Sequence, residues 1–139
     1  MKKYVFVDIN NTLFDSENRR VDDVYFLGLI HKDKARYPVI RLLKMLQKLE
    51  YTLVFFNYCN MKFTSSIHKA IQKVGFPENS YVLYTDIAND RINNARFLKQ
   101  YVCEHIINIT ENDILFALDN DKESIKYYKS HGITVLEVK

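Results

Sequence analysis

Three apolar runs in this 139-residue chain end in acids, amides and a hydroxyl. Val5-Phe6-Val7 gives way to Asp8, Asn10 and Thr12. Thr52-Leu-Val-Phe-Phe56 gives way to Asn57 and Asn60, and Ile114-Leu-Phe-Ala-Leu118 to Asp119, Asn120 and Asp121. Two carboxylates converging in a crevice repel each other unless a cation sits between them. Mg²⁺ suits such a pair, since it is hard, octahedral and commonly held by one or two carboxylates with water and substrate phosphate. The backbone carbonyl of Asn10 offers one more oxygen. A carboxylate there can also attack phosphorus and form an aspartyl-phosphate. The plain alternative is that Asp8 and Asp119 are unrelated turn or helix-capping residues at strand ends.

The runs must be positioned by a fold, and the rest of the chain specifies one. Continuous apolar runs of this length fit strands buried on both faces of a parallel sheet. Open α/β sheets bind ligands just beyond the carboxyl ends of such strands. Strands are expected over Tyr4 to Ile9, Thr52 to Phe56, Tyr81 to Tyr84, Ile114 to Leu118 and Thr134 to Val138. Pro38 opens a helix at its first turn, with an apolar stripe of Val39, Leu42, Leu43, Leu46 and Leu49. A second helix runs through Ile67, Ala70, Ile71 and Val74 and stops at Gly75, and a third spans about Asp90 to Ile106. Asn120 and Glu123 have capping-box spacing for a fourth, which ends at Gly132. The alternation predicts a three-layer, doubly wound (Rossmann-like) parallel sheet of five strands with helices on both faces, in one domain over 1–139.

Composition narrows the function classes. A hydrophobic fraction of 47% with 27% charged residues is that of a soluble globular protein. The net charge of +3 is too balanced to require a nucleic-acid partner, although it leaves one open. Apolar runs are too short to span a membrane, and the first strand follows Met1-Lys-Lys so closely that no signal peptide is expected. Cys59 and Cys103 form no CxxC pair, so neither a zinc site nor a redox motif is signalled and a reducing cytoplasm is the expected location. His31, His68, His105 and His131 share no ligand spacing.

Asp8-Ile-Asn10-Asn-Thr12-Leu13 resembles the first motif of the haloacid dehalogenase (HAD) superfamily, D-x-D-x-T/V-L after a first apolar strand. Phe116-Ala-Leu-Asp119-Asn-Asp121 through Gly132-Ile-Thr-Val135 is similar to its fourth motif. That region and Lys99-Gln-Tyr-Val-Cys-Glu-His-Ile106 look most like the 3′-phosphatase domains of phage-type polynucleotide kinases. The resemblance implies a Mg²⁺-dependent phosphatase with Asp8 as nucleophile and Asp119 as metal ligand, Asn120 or Asp121 lying behind it. It places Asn57 where the second motif has a phosphate-binding Ser or Thr, and an amide NH₂ still donates there. Thr12 counts with the phosphate-binding residues. Lys99, or Arg96 on the same helix, stands for the third-motif cation, although each also reads as an ordinary solvated helix residue.

The departure lies at residue 10. The family's second aspartate, which protonates the leaving group and then activates water, is Asn10 here. An amide cannot hold or release that proton near neutral pH, and such a group contributes about 10²–10⁴-fold. The change is nearly isosteric and removes one charge, so metal and phosphate binding need not be lost with it. The resemblance therefore implies a slow phosphomonoester hydrolase, one that stalls as phosphoenzyme, or else a catalytically silent metal- or phosphate-binding assembly module.

Between the first two motifs only about residues 14–36 are available as a flap or minimal cap. A site so lightly covered suits a large substrate such as a nucleic-acid end, or a cap lent by a second copy in a homodimer. Arg19, Arg20, Lys32, Lys34 and Arg36 could touch phosphates there or merely solvate a loop. The apolar island Val24 to Ile30 needs a surface to bury against, in the flap itself or across a dimer.

Overall fold

The structure is a computed structural model and describes residues 3–9, 12–15, 34–58, 64–76, 81–85 and 109–138. In chain order the elements are β1 (Tyr4–Asp8), β2 (Phe14–Asp15), β3 (Lys34–Ala35), α1 (Tyr37–Lys48), β4 (Thr52–Tyr58), α2 (Thr64–Lys73) and β5 (Tyr81–Thr85). A 3₁₀ turn (Glu111–Asp113), β6 (Ile114–Asp119), α3 (Lys122–Ser130) and β7 (Val135–Glu137) complete them. Five strands make one sheet in the order β5-β4-β1-β6-β7, with every pairing parallel. From β1 the chain winds outward through β4 to β5, then returns to the other side of β1 with β6 and β7. The order therefore reverses between β1 and β6, the place where doubly wound sheets open a crevice.

Alternation along the strands divides the core in two. Val5, Val7, Leu53 and Phe55 pack with Ile40, Leu43 and Leu46 of α1 and with Ile67, Ala70 and Ile71 of α2. Phe6, Val54, Phe56 and Ala117 face the other way, against Tyr128 of α3 and Ile133. Phe6 meets the Phe56 ring edge-on at 5.0 Å and the Tyr128 ring at 6.5 Å. Helices thus cover both faces, as the apolar strands require.

One irregularity sets the phase of the site. Tyr4 pairs with Ile114 but Val5 pairs with Phe116, so β6 carries one extra residue, Leu115, against β1. Leu115 and Phe116 both pack toward the α1–α2 core, after which Ala117 and Leu118 resume alternation. Such an inserted residue shifts every later side chain by one pleat.

The structure revises the reading of α1. Ile40, Leu43 and Leu46 are buried, whereas Leu42 and Leu49 of the expected stripe are 37% and 68% exposed. The helix carries two apolar ridges, and Leu42, Met45 (62% exposed) and Leu49 form the outward one at i, i+3, i+7 spacing. A pattern count over the sequence merges them. At the helix ends, Gly75 (φ 94°) and Gly132 (φ 70°) adopt the left-handed geometry expected where α2 and α3 stop.

The two ends of the anticipated flap pair as a short antiparallel stem, Phe14 with Ala35 and Asp15 with Lys34. Residues 16–33, including the island from Val24 to Ile30 and the basic side chains Arg19, Arg20 and Lys32, lie outside the described residues, as does the expected helix from Asp90 to Ile106. Among the described residues no helix is long and apolar enough to cross a membrane.

Candidate active site at the switch point

Asp8 is the last residue of β1 and Asp119 the last of β6. Val7 pairs with Leu118, so the register carries the two acids to the next rung together. Alternation turns both toward the α3 side of the sheet, Asp8 with Phe6 and Asp119 with Ala117. Neighbouring strands lie about 4.8 Å apart, and the two residues are 7% and 0% exposed. A dry sheet edge with two acids side by side is an electrostatic liability unless a ligand uses it.

The chain after β1 folds tightly back. The Ile9 N–H continues the ladder to the Phe56 carbonyl at 3.1 Å. The N–H groups of Thr12, Leu13 and Phe14 then all point at the Ile9 carbonyl, at 3.4, 3.0 and 3.3 Å. This turn brings Thr12, fully buried, back to its own strand end. Thr12 Oγ1 lies 3.3 Å from Asp8 Oδ2 and 3.4 Å from Asn120 Oδ1, so one hydroxyl spans the ends of β1 and β6.

On the β6 side, Asp119 Oδ1 accepts the Asp121 N–H at 3.0 Å, and the Asp119 carbonyl accepts the Val138 N–H at 3.0 Å. Asp121 Oδ2 accepts the Ser124 N–H at 2.9 Å and caps α3. The cap is thus Asp121 rather than Asn120, one residue later than the Asn120/Glu123 spacing suggested, while the Asn120 side chain lies toward Thr12. Asp121 is exposed. Asp121→Ala is expected to cost about 1 kcal/mol, read as a lowered urea midpoint, and Asp121→Asn to restore most of it.

The structure thus brings together Asp8, Thr12, Asp119, Asn120 and, at the helix start, Asp121. Asn57 lies on β4 one residue beyond Phe56, the partner of Asp8, so its backbone is at the same sheet edge. Asn10, Arg96 and Lys99 lie outside the described residues. Sequence spacing gave no sign of the Thr12–Asn120 contact, which joins positions 108 apart.

Among the described residues no group of three or more His, Cys, Asp or Glu is arranged to hold a metal ion. Asp8 and Asp119 offer two hard carboxylates, too few for a structural zinc site. A pair is what Mg²⁺ commonly takes from a protein, with water and phosphate completing its shell. The residues present fit that ion.

Sheet order, the switch-point crevice and paired acids define a three-layer α/β protein of HAD-like fold. Solved structures bear the fold out. The chain is similar to one in "Structure of Pnkp1/Rnl/Hen1 complex" (TM-score 0.78, 18% identity, 99% of this chain and 46% of that one). It is similar to another in "Structure of the Pnkp1/Rnl/Hen1 RNA repair complex" (TM-score 0.77, 18% identity, 99% and 42%). A phosphoserine phosphatase in apo form aligns at TM-score 0.61 and 13% identity, over 96% of this chain and 85% of that one. The chain spans less than half the length of the first two. No family model matches the sequence, and no curated protein does.

Proposed function

We propose that this protein is a Mg²⁺-dependent phosphomonoester hydrolase working through an aspartyl-phosphate on Asp8. The observation that carries the proposal is that two buried acids, Asp8 and Asp119, each stand one residue beyond the Val7–Leu118 pair at the β1/β6 switch point. Asp8 and Asp119, with the Asn10 carbonyl, would hold the cation, and Asn120 and Asp121 would support Asp119 from behind. When bound, Mg²⁺ neutralises charge on the carboxylate pair and the phosphoryl oxygens.

Asp8 attacks phosphorus through one carboxylate oxygen, forming the acyl-phosphate bond as the bond to the leaving oxygen breaks. Thr12, Asn57 and Lys99, with Arg96 as the alternative cation, would bind the phosphoryl oxygens. The leaving alkoxide needs a proton that Asn10 cannot give, so solvent supplies it. Water then cleaves the acyl phosphate, and Asn10 cannot take its proton either. Both steps are slow, and the phosphoenzyme accumulates.

The narrow stem left for a cap between β2 and β3, together with the likeness to chains of an RNA repair complex, favours a nucleic-acid or nucleotide phosphate end as substrate. We place the reaction in the cytoplasm, consistent with two cysteines in no motif. A second reading is favoured by Asn10 itself: a silent module that binds metal or phosphate and takes part in an assembly.

The readings separate on incubating the protein and Mg²⁺ with a ³²P-labelled 3′-phosphorylated oligonucleotide, a nucleoside monophosphate and phosphoserine. Acid-stable, Asp8-dependent label on the protein, strongest from the oligonucleotide, is the expected result. Absence of both label and released phosphate from all three substrates, in wild type and Asn10→Asp alike, refutes the enzyme.

A further inference from the structure

Among the described residues five large apolar side chains are exposed, and four of them, Tyr37, Leu42, Met45 and Leu49, belong to α1 or its C-cap. Single exposed hydrophobics are ordinary on a surface, but three of these form a row. Leu42, Met45 and Leu49 stand at i, i+3 and i+7, the a, d and a positions of a heptad. Arg41 and Lys48, both exposed, then fall at the g positions beside that seam. On its other flank the e position is Leu46, which is buried in the core with Ile40 and Leu43. Lys44 takes no part in the seam, since its ammonium lies over Gly75 beyond the end of α2. From Tyr37 to Lys48 the helix has no acid, so nothing on α1 balances the two cations.

A surface that covers this seam must share its repeat and oppose its charge. We propose that the outer face of α1 docks an amphipathic helix of a separate protein, with Glu or Asp beside Arg41 and Lys48 and apolar residues over Leu42, Met45 and Leu49. Helices are recognised through anchors at this spacing. Opposite charges along the flank of the seam select the partner and its orientation. A second copy of this chain fits poorly. Packed antiparallel, two α1 helices would set cation against cation, and packed in parallel, each cation would meet the Leu46 flank of the other. A lipid surface sets no heptad spacing. The docking is independent of any reaction at Asp8, which lies at the carboxyl edge of the sheet.

The probes are synthetic fluorescent helices that share leucine at a and d and carry Glu, Gln or Lys at e and g. Each is titrated with the full chain at low salt and followed by anisotropy. The Glu helix should bind about tenfold tighter than the Lys helix, with the Gln helix between them, and the preference should shrink as salt is added. Met45→Glu should abolish binding of the Glu helix. Arg41→Glu combined with Lys48→Glu should reverse the order, so that the Lys helix binds best. Should Met45→Glu disturb the melting transition, Leu49→Gln takes its place at a more exposed position of the same row. Equal affinity for the probes, or an order that survives the charge reversal, overturns the proposal. Binding to phosphatidylcholine–phosphatidylglycerol vesicles that Met45→Glu abolishes, with no binding of the Glu helix, overturns it in favour of a lipid surface. A dimer in sedimentation that Met45→Glu dissociates overturns it in favour of a second copy.

Discussion

Asn10→Asp is expected to raise phosphomonoester turnover by about 10²–10⁴-fold and to convert a protein that accumulates label into one that turns over. Residue 10 follows β1 by two positions, and in the proposed mechanism a carboxyl there would supply both proton transfers that an amide cannot. Pre-steady-state kinetics check it. Wild type should show a burst of leaving group close to one per protein, followed by a slow phase. The Asn10→Asp variant should show a slow phase faster by the stated factor, with little phosphoenzyme at steady state. A variant that turns over no faster, or whose gain persists when Asp8 is also replaced, contradicts the assignment of both residues.

Asp8→Asn carries the second large effect, in two directions at once. Labelling and turnover should fall to the uncatalysed background, because the amide oxygen is too weak a nucleophile to form the acyl phosphate. Stability without metal should rise. Two carboxylates at the ends of neighbouring strands repel each other, and the substitution removes one of them. The amide oxygen still accepts from Thr12. The melting temperature in EDTA should therefore rise, by about 2 °C or more for each ~1 kcal/mol of repulsion relieved. Millimolar Mg²⁺ should stabilise wild type, as any ligand specific for the folded state does, and leave the variant nearly unmoved. Equal melting temperatures for the two proteins in EDTA would mean that the acids do not oppose each other across the crevice.

The sheet was legible in the sequence because its central strands are apolar on both faces. Val5 to Val7, Leu53 to Phe56 and Ile114 to Leu118 allow few other placements, and the order of strands and helices leaves few topologies. The acids at the ends of β1 and β6 could be read for the same reason, as abrupt polarity after a dry run. What could not be read depends on rotation and register. Nothing local tells α1 which of its two ridges faces the sheet; contact with α2 and β4 decides that Ile40, Leu43 and Leu46 go inside. The N-cap falls on Asp121, while Asn120 contacts a threonine more than a hundred residues earlier. Burial of Thr12 in the same way comes from three amides sharing the Ile9 carbonyl, a turn with no signature in residue types.

The extra residue at Leu115 makes β6 two half-strands with separate obligations. Its first half answers to the core, where Ile114 is held beside Phe6 and Ile133. Its second half answers to the crevice, where Asp119 must keep in step with Asp8. A deletion at Leu115 would leave the composition, the charge and every polar residue of the site intact, yet it would oblige one half to surrender its side of the sheet. The site is therefore sensitive to indels in this stretch as well as to substitution of its buried side chains.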